Sequence, residues 1–92
     1  MTEERYSVQI TRPALRALGR LKPKTAEAVL RFFNGPLTDN PLQVTMPLGA
    51  ELERQRSGCV GISYRFVTRV AEAERVVYVL RIAHRADVSR GQ

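Results

Sequence analysis

Three arginines in the last third of this 92-residue chain carry its clearest chemical signal: Arg65, Arg81 and Arg85. Each falls at an odd position in a segment that alternates with period two. From 76 to 85, Val76, Tyr78, Leu80, Ile82 and His84 form one row, and Val77, Val79, Arg81, Ala83 and Arg85 the other. From 62 to 70, Ile62, Tyr64, Phe66 and Val70 form the apolar row, with Ser63, Arg65, Val67 and Arg69 opposite. With the bulkier rows facing the core, Arg65, Arg81 and Arg85 share the other face of one sheet. Guanidinium groups on adjacent strands repel one another, and no acid is interleaved, so the cluster suits an anion that it can grip bidentately. The plain alternative is arginine lying flat in solvent. The whole chain leans the same way: fifteen Lys plus Arg against nine Asp plus Glu leave a charge of +6, and thirteen of the fifteen are Arg. An Arg-heavy composition also arises from GC-rich coding, but nucleic acid or an acidic protein is the partner class that this charge favours.

One cysteine, Cys59, and one histidine, His84, provide neither an internal disulfide nor a structural zinc set. The expectation is a cytoplasmic protein that needs no metal and no cofactor. Cys59 reads as an ordinary small residue at a strand start, with nothing nearby in sequence to make it a nucleophile. The opening MTEERYSVQI has no apolar run, and some 18 consecutive apolar residues occur nowhere, so neither a signal peptide nor a membrane span is expected. At 10.4 kDa the chain is expected to be a single domain over 1–92. Its 43% hydrophobic residues include three Phe, three Tyr and no Trp, so the core leans on Leu, Val and Ile.

The elements that position the arginines can be read in order. Tyr6, Val8 and Ile10 alternate with polar residues as a short strand. Thr11 offers a helix cap, Pro13 fits a first turn, and Leu15, Leu18 and Leu21 recur at helical spacing to about Gly19 or Arg20. Pro23 restarts the pattern with Ala26, Val29, Leu30 and Phe33 as one stripe, until Asn34-Gly35-Pro36 stops it. Two antiparallel helices this small need a further apolar surface to cover. Residues 34–50 hold three prolines and form a surface connection, with Leu37, Leu42 and Leu48 to pin it down. Strands follow at 52–56, 62–70 and 76–84, with Ala71-Glu72-Ala73-Glu74 as the last turn. The fold class is α+β: an N-terminal strand, a two-helix hairpin, then three antiparallel strands. The helices pack on one face of a mostly antiparallel sheet of about four strands, opposite a basic concave face.

Two segments carry a family resemblance. Ile62-Ser63-Tyr64-Arg65-Phe66-Val67 resembles the Gly-x-Tyr-Arg-aliphatic-aliphatic strand of the RelE/ParE toxin superfamily, the toxin halves of bacterial toxin–antitoxin pairs. The run from Val76 to Val88 is similar to its terminal Val-Leu-Arg-Val-x-His-Arg-x-Asp-Val signature, and Pro47-Leu48-Gly49-Ala50-Glu51-Leu52 to its entry into the second strand. The terminal motif is the specific one, and the order of elements extends the likeness over nearly the whole chain. The resemblance implies a ribosome-dependent mRNA endonuclease, as in the RelE branch, acting without metal on mRNA in the ribosomal A site and neutralised by an acidic antitoxin. In that reaction the ribose 2′-OH attacks its own 3′ phosphate, and basic side chains accept the proton, steady the phosphorane and assist the leaving oxygen. By position, Arg65 is the phosphate clamp and Arg85 the arginine at the developing charge. Arg54, Arg56, Arg81, His84 and Ser89 complete the implied RNA-binding set. His84 also has a structural reading, as a hydrogen-bonded residue on the bulky row with Tyr78 and Leu80.

Two departures weigh against the nuclease. Position 89, where RelE-type nucleases often carry a Tyr, is Ser89, so an aromatic platform is missing. The stretch Ser57-Gly58-Cys59-Val60-Gly61 lacks further bases and runs one residue long, which leaves the direction of Arg54 and Arg56 open. The rival reading is a protein that binds without catalysis: a ParE-like DNA gyrase inhibitor, or a degenerate toxin that only pairs with its antitoxin. Ser89 favours the rival, and the arginine cluster favours the nuclease.

Overall fold

The computed structural model describes residues 5–49, 55–61 and 63–84. Strand β1 (Ser7–Ile10) leads into helices α1 (Arg12–Gly19) and α2 (Pro23–Asn34), then a single turn α3 (Pro36–Asp39) and strands β2 (Met46–Pro47), β3 (Gln55–Val60), β4 (Tyr64–Ala71) and β5 (Val76–His84). The α+β reading holds, with five strands instead of about four. They lie in the order β1-β5-β4-β3-β2. The first strand inserts parallel to the last, and all other pairs are antiparallel. A parallel pair needs a long crossover, and the helices supply it, crossing one face of the sheet.

That face holds the core. Ala14 and Leu18 of α1, Val29 and Phe33 of α2, and Leu37 of α3 are buried against Phe66, Val77, Val79 and Ile82. Phe66 is the centrepiece, its ring 5.3 Å from that of Phe33 and 5.6 Å from that of Phe32. It also explains Gly58, its cross-strand partner. A Cβ there would sit 2.6 Å from Phe66 Cζ and 2.8 Å from the Val44 carbonyl oxygen, so only hydrogen fits beneath the ring. Along α1 the buried stripe is Ala14 and Leu18, not Leu15, which is 56% exposed. A helix this short turns one narrow stripe inward. In the connection, Leu37 is buried as expected, while Leu42 and Leu48 are partly exposed and Pro41 and Thr45 take the inner positions.

The largest correction concerns β5. Strict alternation sends Val76, Tyr78 and Leu80 to the core and Val77 and Val79 away from it. Instead Val77 and Val79 are fully buried. The cause is a slip in register: Val67 pairs with Arg81, but Thr68 pairs with Val79, so Leu80 is an extra residue opposite the β4 ladder. One inserted residue reverses the side to which every earlier side chain points. Thr11 holds this bulge. Its amide donates to the Val79 carbonyl oxygen at 3.1 Å, its hydroxyl donates to the same oxygen at 2.8 Å, and Leu80 O lies 3.2 Å from that hydroxyl. The expected cap of α1 is therefore positional only, since Thr11 makes no side-chain capping bond. Cys59 likewise lies near the end of β3 rather than at a strand start.

Candidate functional site

Strand β4 alternates without interruption. Tyr64, Phe66, Thr68 and Val70 turn toward the helices, and Arg65, Val67 and Arg69 toward the opposite, open face, where both arginines are exposed. Pairing then fixes what lies beside them. Arg65 sits between Cys59 and Ala83, Val67 between Ser57 and Arg81, and Arg69 between Gln55 and Tyr78. Arg81 is exposed and diagonal to both Arg65 and Arg69, a relation that separates α-carbons by roughly 7–8 Å across a sheet. No acid stands in these rows. Among the described residues, three guanidinium groups thus line the open face in a zigzag, as an anion-gripping surface requires.

The implied residues fare differently. Arg65 and Arg81 are brought together. Arg56 is not: it pairs with buried Thr68 and so belongs to the helix-covered face. Its Nε donates to Thr45 Oγ1 at 2.8 Å, and its Nη2 donates to the carbonyl oxygens of Thr45 at 3.0 Å and Leu42 at 3.2 Å. Thr45 Oγ1 in turn donates to Pro41 O at 2.6 Å. Arg56 is a clamp on the connection before β2 through its Nε and Nη2. His84 pairs with Tyr64, edge to face at 5.2 Å between ring centroids, on the side of the sheet away from Arg65. It is exposed. Arg54, Arg85 and Ser89 lie outside the described residues.

Sequence reasoning missed Tyr78. Because of the bulge it faces outward, with the Arg69 guanidinium carbon 5.6 Å from its ring centroid and its hydroxyl 3.4 Å from Glu74 Oε1. The open face therefore has an aromatic group after all. Only the register of β4 against β5 could have revealed it. Among the described residues no set of His, Cys, Asp and Glu gathers as metal ligands, and no helix is long and apolar enough to cross a membrane.

No family model matches the chain. Individual relatives do. The chain is 39% identical over 85 residues to toxin RelG of Mycobacterium tuberculosis, covering 92% of this chain and 97% of that one. It is 38% identical over 81 residues to toxin RelE of the same organism, covering 88% and 82%. Among solved structures, the toxin–antitoxin complex RelBE2 of Mycobacterium tuberculosis superposes with a TM-score of 0.82 at 37% identity, over 88% of this chain and 99% of that one. With the strand order, the Tyr64-Arg65 strand and identity of this extent in agreement, the chain belongs to the RelE family within the RelE/ParE superfamily, the toxins of toxin–antitoxin systems.

Proposed function

We propose that this toxin stops translation by cutting mRNA in the ribosomal A site, in the cytoplasm, without metal or cofactor. The observation that carries the reading is the diagonal placement of Arg65 and Arg81 on adjacent strands of an open sheet face, in rows that hold no carboxylate. Arg65 holds the non-bridging oxygens of the scissile phosphate. The ribose 2′-OH gives up its proton to a base and attacks the adjacent phosphorus. The bond to the 5′-oxygen breaks as that oxygen takes up a proton, leaving a 2′,3′-cyclic phosphate and a 5′-hydroxyl. Charge on the phosphorane is greatest in the transition state, so cations fixed beforehand lower the barrier without reorganising. Arg85 takes the place beside the leaving oxygen by its position in the terminal motif, and Arg54, Arg81 and Ser89 contact the flanking RNA, while His84, on the side of the sheet away from Arg65, keeps its structural reading beside Tyr64. Arg56 stands apart from that set, because its Nε and Nη2 hold the connection before β2 on the helix-covered side of the sheet.

The partner follows from charge and kinship. A chain of +6 that is 37% identical to the toxin of a solved toxin–antitoxin complex is held in check by an acidic antitoxin. Carboxylates over Arg65 and Arg85 block the RNA site and make association faster at low salt. The central test is induction of the toxin alone, with primer extension on an abundant message. Cuts are expected only where the message is translated. Growth arrest with intact mRNA and failing supercoiling would make it a gyrase inhibitor instead, and unimpaired growth at high expression would leave a toxin that only binds its antitoxin.

A further inference from the structure

One row of the open face is unlike its neighbours. Pairing across four adjacent strands sets Gln55 of β3, Arg69 of β4, Tyr78 of β5 and Gln9 of β1 side by side. Arg69 is exposed, its guanidinium carbon 5.6 Å from the centroid of the half-buried Tyr78 ring, and the Tyr78 hydroxyl donates to Glu74 Oε1 from the turn at 3.4 Å. The rows of Arg65 and Arg81 offer charge beside small side chains (Cys59, Ala83 and Ser57), whereas this row offers a cation–π pair flanked by two side-chain amides. Glu72 and Glu74 line one cleft together with Gln55 and Arg69, so a phosphate is less welcome here than at Arg65. A planar, uncharged group with hydrogen-bonding edges fits best. We infer that the Arg69–Tyr78 pair is a nucleobase subsite, on which one base of the single-stranded RNA stacks while Gln55 and Gln9 meet its edges.

The spacing agrees with the path of one strand. Arg65 and Arg69 stand four residues apart on β4, or roughly 13 Å at the usual rise of a strand. That distance is about two steps of an extended polynucleotide, and Arg81 lies at the intervening step to receive a phosphate. Aromatic rings and guanidinium planes on a sheet surface are common supports for unstacked RNA bases, and they tolerate any base unless polar neighbours discriminate. The Gln pair is the source of discrimination. The subsite rests on the reading of this face as an RNA site for the identity of the polymer, but it makes a separate prediction.

Fluorescence anisotropy of the full chain with labelled 2′-O-methyl seven-nucleotide RNAs, uncleavable and carrying an abasic residue at each position in turn, tests it. The wild type is expected to lose about tenfold or more in affinity when one particular base is removed, the scale of a stacked base. Tyr78→Leu, which keeps apolar bulk without a ring, and Arg69→Ala should lose a similar factor on intact RNA and nothing further on that abasic RNA. Tyr78→Phe should bind like the wild type. Arg65→Ala should instead weaken every RNA alike and reduce the salt dependence. The inference is overturned if no abasic position matters to the wild type, or if the Tyr78→Leu loss is the same on intact and abasic RNA. Cleavage of translated message by the wild type is scored separately. Cutting without the abasic coupling removes the subsite alone, and coupling without cutting keeps the subsite and removes the nuclease.

Discussion

On the helix-covered face of the sheet, Phe66, Thr68, Val77, Val79 and Ile82 are sealed from water, while the same two strands send Arg65, Arg69 and Arg81 to the open face. Val79 and Arg81 are both odd-numbered, and in an unbroken strand they would point the same way. They point to opposite faces only because Leu80 is extra. The bulge thus lets one strand serve two demands: apolar burial in its first half and a guanidinium on the open face in its second. Bulges beside functional surfaces often re-aim a side chain in this manner. Packing selects residues on one face by volume, and charge selects them on the other.

Breaking the covered face should produce the largest change. Phe66→Ala removes a ring that touches Phe32 and Phe33, and it is expected to cost about 3–5 kcal/mol of stability, read by chemical denaturation. Arg65→Ala, one residue away, should shift stability by less than about 0.5 kcal/mol while lowering message cleavage by about 10²-fold or more. An Arg65→Ala protein that melts like Phe66→Ala would mean that the two faces are not independent.

The next effect separates two arginines. Arg56→Ala leaves the buried Thr45 hydroxyl and two carbonyl oxygens short of a charged donor, a loss of about 1–3 kcal/mol. Cleavage by the folded fraction should remain near that of the wild type. If Arg56→Ala instead keeps its stability and loses cleavage as Arg65→Ala does, Arg56 contacts RNA and the clamp is secondary.

These two arginines also show how far the sequence could be read. The first strand, the bounds of α1 and α2 and the faces of Tyr64, Arg65, Phe66, Val67, Arg69 and Val70 were legible, because proline, glycine and strict alternation mark them, whereas α3, β2 and the start of β3 lie in or after a proline-rich stretch with no period to read. Arg65 and Arg81 followed from that alternation. The side on which Arg56 lies did not, since a residue in a short strand takes its direction from pairing with β4, and pairing is a long-range property. Tyr78 was hidden for the same reason. Its type is at home in a core, and only the slip opposite Thr68 carries it to the arginines.

A smaller effect tests that slip directly. Strict alternation would make Leu80 the core residue and Val79 the surface one. With the bulge, Val79→Ala empties a fully buried position at about 1–3 kcal/mol, and Leu80→Ala, half-buried, costs less despite losing more atoms. Thermal melts of the two variants give the order. A Leu80→Ala protein less stable than Val79→Ala would restore the unbroken strand.

The smallest effect is expected at Thr11, where β1 ends and the bulge is held. Thr11→Val keeps the shape and removes the hydroxyl that donates to the Val79 carbonyl oxygen at 2.8 Å. The Thr11 amide still donates to that oxygen at 3.1 Å, so the acceptor is not orphaned and the loss should be near 1 kcal/mol. Loss of helix capping does not account for such a change, because the Thr11 hydroxyl makes no capping bond to α1. Amide hydrogen exchange distinguishes the two origins. Faster exchange in β5 around Leu80, with the first turn of α1 unchanged, is the outcome that a pinned bulge predicts, and Thr11→Ser should restore protection. Faster exchange confined to α1 would show that Thr11 serves the helix. The bulge would then be held by the pairing of β4 with β5 alone, and the direction of Arg81 would not depend on where the first strand ends.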